Sequence, residues 1–122
     1  MTRMQLTRNG GMRYMAWNKY GAKKITDPAT GYTFDSKAEF TRWCELRLLE
    51  RAGKISNLHR QVSFELIPKQ NGERACTYVA DFTYIDEHGM FAVEDTKGVK
   101  TDAYRIKRKL MLWVHGIKIK ET

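Results

Sequence analysis

Residues 76–85, CTYVADFTYI, and residues 90–97, MFAVEDTK, are two runs rich in β-branched and aromatic side chains, joined by DEHG. Such runs read as strands, and the turn residues Asp86 to Gly89 fold them back on each other as an antiparallel pair. A single hairpin is marginal in water, so the rest of the chain must supply neighbours that cover it. The same stretch poses a chemical question. Asp81 interrupts the first strand, and Glu94, Asp95 and Lys97 close the second, where burial makes charge costly unless it is paired.

The flanking patterns supply those neighbours. Residues 58–67, LHRQVSFELI, alternate apolar with polar and stop at Pro68, which predicts a further strand. Asn71-Gly72 turns it toward residue 76. Phe40, Trp43, Cys44 and Leu48 recur at helical spacing, and Leu46 and Leu49 widen the stripe, so residues 36–52 are expected to be a helix. Ser36 can cap its start and Gly53 can end it. Ala103, Ile106, Leu110 and Trp113 mark a second helix over 102–113, capped by Thr101 and stopped by Gly116, with Ile117 to Lys120 as a last short strand. Before all of these, Ile25-Thr26 and Tyr32 to Phe34 flank the turn at Asp27 to Gly31 as a small hairpin. The order is hairpin, helix, three strands, helix, strand. It predicts an α/β fold: an antiparallel meander, a crossover helix leading to the last strand, and a mixed sheet with flanking helices.

The length of 122 residues fits one domain, from residue 19 to residue 122. Residues 1–18 lack periodicity, contain Gly10-Gly11, and read as a basic flexible arm. The formal net charge is +8, and its placement is uneven. Arg3, Arg8, Arg13, Lys19, Lys23 and Lys24 precede the first acid, and Lys97, Lys100, Arg105, Lys107, Arg108 and Lys109 form a second cluster. Basic stretches of this kind suit a polyanion, most often nucleic acid. No apolar run reaches the ~18 residues of a membrane span, and no apolar leader follows the N-terminal basic residues. A cytoplasmic protein without membrane contact is expected. Cys44 and Cys76 form no CxxC pair and read as small core residues; His59, His88 and His115 are scattered, without zinc spacing.

Side chains alternate along a strand, so Asp95 and Lys97 are expected to face one way and Glu94 the other. The turn brings Asp81 beside Asp95. Two carboxylates on adjacent strands repel each other, and a hard divalent cation such as Mg2+, which prefers oxygen, would relieve that. Lys97 would then stand beside the metal, where it can orient or deprotonate an attacking water or steady a phosphate oxygen. Two alternatives stay open at this point. Asp81 can be a half-buried acid paired with an arginine, and Glu94 can replace or supplement Asp95.

Asp81 followed by Asp95-Thr96-Lys97 resembles the D…(D/E)xK motif of the PD-(D/E)XK nucleases, whose restriction-endonuclease-like core has the same element order as residues 36–121. Ala80 stands where the motif's name has proline. The chain is most similar to small phage-encoded members of that superfamily. The likeness extends to Lys19-Tyr20-Gly21-Ala22-Lys23-Lys24, Phe34-Asp35-Ser36-Lys37-Ala38-Glu39 and Glu94-Asp95-Thr96-Lys97-Gly98, and covers about residues 18–121. It implies a Mg2+-dependent endodeoxyribonuclease, with Mn2+ able to substitute, that leaves a 5′-phosphate and a 3′-hydroxyl. Branched DNA such as a Holliday junction is the substrate the analogy favours.

The resemblance further implies that Glu39 joins Asp81 and Asp95 on the metal, although Ser36-Lys37-Ala38-Glu39 also fits a capping box. Gln61 matches a position near the metal in related nucleases and otherwise reads as an outward strand residue. Phosphate contacts are expected from Lys100, Arg105, Lys107, Arg108 and Lys109, with Ile106 and Leu110 turned to the core, and from Arg13, Lys19, Lys23 and Lys24. Resolving a junction requires two incisions, which predicts a two-fold homodimer with residues 1–34 at its interface. Two rival readings belong to other classes: a DNA-binding module without turnover, and an interaction protein that engages a replication or recombination factor through the arm.

Overall fold

The computed structural model describes residues 24–122. In order, the elements are β1 (Ile25–Thr26), β2 (Thr33–Phe34), α1 (Lys37–Arg51), β3 (Ser56–Ile67), β4 (Cys76–Ile85), β5 (Phe91–Asp95), α2 (Asp102–His115) and β6 (Lys120–Glu121). β1 and β2 form a two-stranded antiparallel sheet. The main sheet has the order β3-β4-β5-β6, antiparallel except for β6, which runs parallel to β5 after the α2 crossover. This is the mixed α/β order expected from the sequence. The arm over residues 1–18, together with Arg13, Lys19 and Lys23, lies outside the described residues. Among the described residues no helix is long and apolar enough to cross a membrane. Among the described residues the chain divides into two units, one up to Cys44 and one from Glu45 to Thr122, with the boundary inside α1.

In the first unit the hairpin turn is built by Asp27, whose carboxylate accepts from the Ala29 amide at 3.0 Å and the Thr30 hydroxyl at 2.9 Å. Phe34 is fully buried, with Phe40 and Trp43 at ring distances of 5.4 and 6.0 Å. The Ser36 hydroxyl accepts from the Glu39 amide at 3.1 Å, as a helix N-cap does. The apolar stripe expected on α1 is rotated. Its covered side runs through Glu39, Trp43, Leu46 and Glu50, while Cys44, Leu48 and Leu49 are exposed. Cys44 is therefore not a core residue, because Trp43 and Leu46 take the covered side on either side of it.

In the second unit Gly53, just past the end of α1, adopts φ +77°, and the Lys54 amide bonds the Leu49 carbonyl at 2.9 Å. α2 is capped as expected. The Thr101 hydroxyl accepts from the Tyr104 amide, and Gly116 ends the helix in the left-handed region. α2 packs on β3 and β4. The core beneath it joins Leu66, Tyr78, Ala80, Val93, Tyr104, Met111 and Ile119, with Leu110 at its margin. Ile106, expected to face the core, is 58% exposed, and Trp113 is 86% exposed. The buried positions are Tyr104 and Met111, two turns apart, so the covered stripe follows a polar-tipped aromatic instead of the aliphatic residues that marked the helix in the sequence.

β4 departs from regular alternation at one point. Cross-strand partners share a face of the sheet, and Phe82 is paired with Glu94. Val93 and Asp95 therefore lie on the face opposite Phe82. Yet Val93 packs with Tyr78 and Ala80, which in a regular strand would share the face of Phe82. The side-chain phase of β4 thus changes between Ala80 and Phe82, at Asp81. The β3 residue level with it is Gln61, between the pairs Arg60↔Phe82 and Val62↔Ala80. Gln61 has φ +54°, a left-handed conformation uncommon outside glycine.

Candidate active site

Asp95 is the last residue of β5 and is fully buried. A carboxylate so placed needs partners, and its two oxygens are treated differently. The Tyr78 hydroxyl donates to Oδ2 at 2.6 Å. Oδ1 is buried and has no hydrogen-bond partner among the described residues. The Lys97 ammonium stands 3.6 Å from it. Lys97 also lies over the ring of Tyr104, 5.0 Å from its centroid, and keeps about a third of its side chain in solvent at 34%. It thus links a buried carboxylate to the surface, held by an ion pair and a ring face.

Asp81 is half-buried. Continuing the β4–β5 register one step past Phe82↔Glu94 sets it level with Asp95. There the two strands part. The Asp81 Oδ2 accepts from the Thr96 amide at 2.8 Å, replacing the ladder bond that would have come next. On the other side of β5 the Thr122 amide bonds the Asp95 carbonyl at 3.0 Å. The Asp95-Thr96 backbone is therefore fixed from both neighbours. The Tyr78 hydroxyl lies within electrostatic reach of both Asp95 and Asp81. Burial first, then the Asp95 bond and charge, raise its pKa far above that of an ordinary tyrosine, so it remains a donor.

Glu94 belongs elsewhere. It is fully buried and accepts a short hydrogen bond from the Tyr84 hydroxyl, on the face away from Asp95. Asp95 and Lys97 thus face one way and Glu94 the other, as strand alternation predicts. Glu39 is buried at the third position of α1, in the first unit, and its assignment to a metal rests on the sequence resemblance. Gln61 is exposed, level with Asp81.

Among the described residues no three His, Cys, Asp or Glu side chains stand together as a metal cage. Mg2+ seldom requires one. It keeps several waters and is commonly held by one or two carboxylates plus substrate phosphates. An orphaned buried oxygen on Asp95, with Asp81 level beside it, fits that donor set.

A family model described as "Protein of unknown function (DUF1064)" matches residues 17–119. The chain belongs to this family. No curated protein and no solved structure matches it.

In this DUF1064 chain the cations expected to hold phosphates are not equivalent. Glu121, next to Asp95 in the parallel β5–β6 register, gathers three partners. Tyr104 donates to its Oε2 at 2.6 Å, Arg108 donates to the same oxygen at 2.9 Å, and Lys100 stands 3.6 Å from Oε1. The Tyr104 bond, then the Arg108 bond, hold the Glu121 carboxyl below its ordinary range. Arg105 pairs with Asp102 at 3.3 Å, and Lys24 with Asp35 at 3.3 Å. Lys107 lines an open groove of about 560 Å³ with Arg74 and Cys76 at the start of β4. Lys109 is exposed.

Three residues at this site escaped the sequence reading: Tyr78, Tyr104 and Glu121. Regular alternation puts Tyr78 on the wrong face for Asp95, so only the phase change at Asp81 reveals it. Tyr104 could have been suspected from its place three residues after the Thr101 cap, since that turn is fixed against the sheet.

Proposed function

We propose that this chain is a divalent-cation-dependent endodeoxyribonuclease of the PD-(D/E)XK type. The observation that carries the reading is the buried Asp95 carboxylate, one oxygen taken by Tyr78 and the other left beside Lys97. A structural acid buried this completely would be expected to satisfy both oxygens. Asp81 and Asp95 would hold the metal, with Glu39 added by the resemblance. When bound, Mg2+ supplies Lewis-acid polarisation of a phosphate oxygen and acidifies a water. The protein's own part is positional. Asp81 fixes the Thr96 backbone through its second role as a cap. Tyr104 and Asp95 hold the Lys97 ammonium where it can steady a phosphate oxygen or orient an attacking water. Lys107 and Lys109, with Arg108 and Lys100 around Glu121, give the α2 side a positive surface for the flanking backbone. Nicking of supercoiled plasmid in Mg2+, abolished by EDTA, is the expected result; an intact plasmid across Mg2+ and Mn2+ would sink the reading.

One observation favours a second reading. The Asp81 carboxylate already has structural work at Thr96, which a DNA-binding module without turnover would also need. Such a module would bind four-way or duplex DNA and leave it uncut with either metal.

Glu39 separates its own two roles. Glutamine also suits a capping box, so Glu39→Gln is expected to keep the fold. If Glu39 is a ligand, the variant loses cleavage by a large factor at unchanged thermal stability; full activity removes it from the metal.

Junction resolution would make a second copy of the chain the required partner. Sedimentation equilibrium at micromolar concentration is expected to give a dimer, and a 14.3 kDa species both free and on four-way DNA would leave a nickase.

A further inference from the structure

We infer that Tyr78 is a positioning residue for the cation site: its hydroxyl claims Asp95 Oδ2 and thereby reserves Oδ1 for the cation and Lys97. The inference rests on the divalent-cation reading above and names a residue that reading does not require. A carboxylate's terminal torsion is broad and two-fold, so a buried aspartate without a fixed partner can offer either oxygen. Here the choice is made by one bond. At 2.6 Å, the hydroxyl–carboxylate contact has the length of a charge-assisted hydrogen bond, among the stronger kinds in proteins.

The donor itself has little freedom. Tyr78 is 3% exposed. Its ring stacks on Phe64 with centroids 6.4 Å apart and lies 6.5 Å from Tyr104. It packs in the cluster of Leu66, Ala80, Val93 and Met111. The ring is fixed by the core, the hydroxyl by the ring, and the carboxylate by the hydroxyl. The oxygen left over is the buried Oδ1, which has no hydrogen-bond partner among the described residues. Hydrogen bonds of this kind behind a metal ligand typically govern affinity by 10- to 100-fold.

The test is Mn2+ binding to the full chain, read from the loss of the free-ion EPR signal, for wild type, Asp95→Asn, Tyr78→Phe and Tyr84→Phe. Tyr78→Phe removes one oxygen and keeps the ring. Its Mn2+ affinity is expected to fall about 10- to 100-fold. The Mg2+ concentration for half-maximal cleavage should rise in parallel, and excess Mg2+ should restore cleavage, a rescue that a merely misfolded variant would not show. Tyr84→Phe, which loses a hydroxyl bonded to Glu94 on the face away from Asp95, should bind Mn2+ like wild type. A Tyr78→Phe affinity within about twofold of wild type overturns the inference while the cation reading stands. A wild-type chain that binds no Mn2+ overturns the cation reading itself, and the inference with it. Should Tyr78→Phe fail to fold, the wild-type chain carrying 13C-labelled tyrosine decides the matter. The Tyr78 Cζ resonance is expected to shift on adding Mg2+ and to stay put in Asp95→Asn; no shift in the wild type is evidence against the role.

Discussion

Supercoiled plasmid incubated with Mg2+ and the Lys97→Ala chain is expected to stay intact where the wild-type chain nicks it. The loss should be about 100- to 10,000-fold, the range attached to a positioned group that serves proton transfer or water orientation. Two features make Lys97 the most exposed point of the site. Its ammonium stands 3.6 Å from the Asp95 oxygen that has no hydrogen-bond partner among the described residues, and its partly solvated side chain can meet a phosphate. Truncation also leaves a buried carboxylate without that charge, which weakens the fold. Lys97→Arg separates the two effects. Arginine keeps the positive charge but is a planar fork, not a compact ammonium, so it should restore stability and leave cleavage low. Asp81→Asn is the companion variant. Its amide oxygen can still accept from the Thr96 amide, so the strand end stays capped while the charge for a cation is gone. Wild-type nicking by both Lys97→Ala and Asp81→Asn would falsify the site.

A second large effect is expected far from any chemistry. Phe82→Ala should lower unfolding free energy by about 3–5 kcal/mol, the range for removing a buried aromatic ring. Phe82 has no exposed surface. It sits on β4, paired with Arg60 on one side and Glu94 on the other, where the neighbouring strands limit collapse into the space left behind. Domains of this size are stable by only ~5–15 kcal/mol, so the variant should be visibly marginal. Guanidinium denaturation measures it. The midpoint should fall with the slope unchanged, and a shift equivalent to less than about 1 kcal/mol would mean that the site relaxes around the loss.

The elements of this fold were largely legible because each carried its own local signal. The strand over 76–85 has matching predicted and observed bounds, since β-branched and aromatic residues fill it and turn chemistry stops it at both ends. Thr101 and Gly116 delimit α2 through caps that act within one turn. Facing was less legible. Glu39 and Glu50 occupy the covered side of α1, so reading only apolar residues rotated that helix and buried Cys44 wrongly. Ile106 misled in the same way on α2. At the site, Asp95 and Lys97 come together as their spacing requires. Tyr78 could not be found by spacing, because its approach to Asp95 depends on an irregularity that two strands share.

That irregularity has a consequence for what can stand at residue 61. A left-handed backbone costs an L-residue roughly 1–2 kcal/mol, and only glycine, asparagine and aspartate visit it routinely. At φ +54°, valine, isoleucine or threonine would clash with their own main chain before meeting any neighbour. Position 61 is therefore filtered by handedness first and by chemistry second. A short polar residue here would be tolerated even if it never touched DNA, and a β-branched one would strain β3 at the level of Asp81.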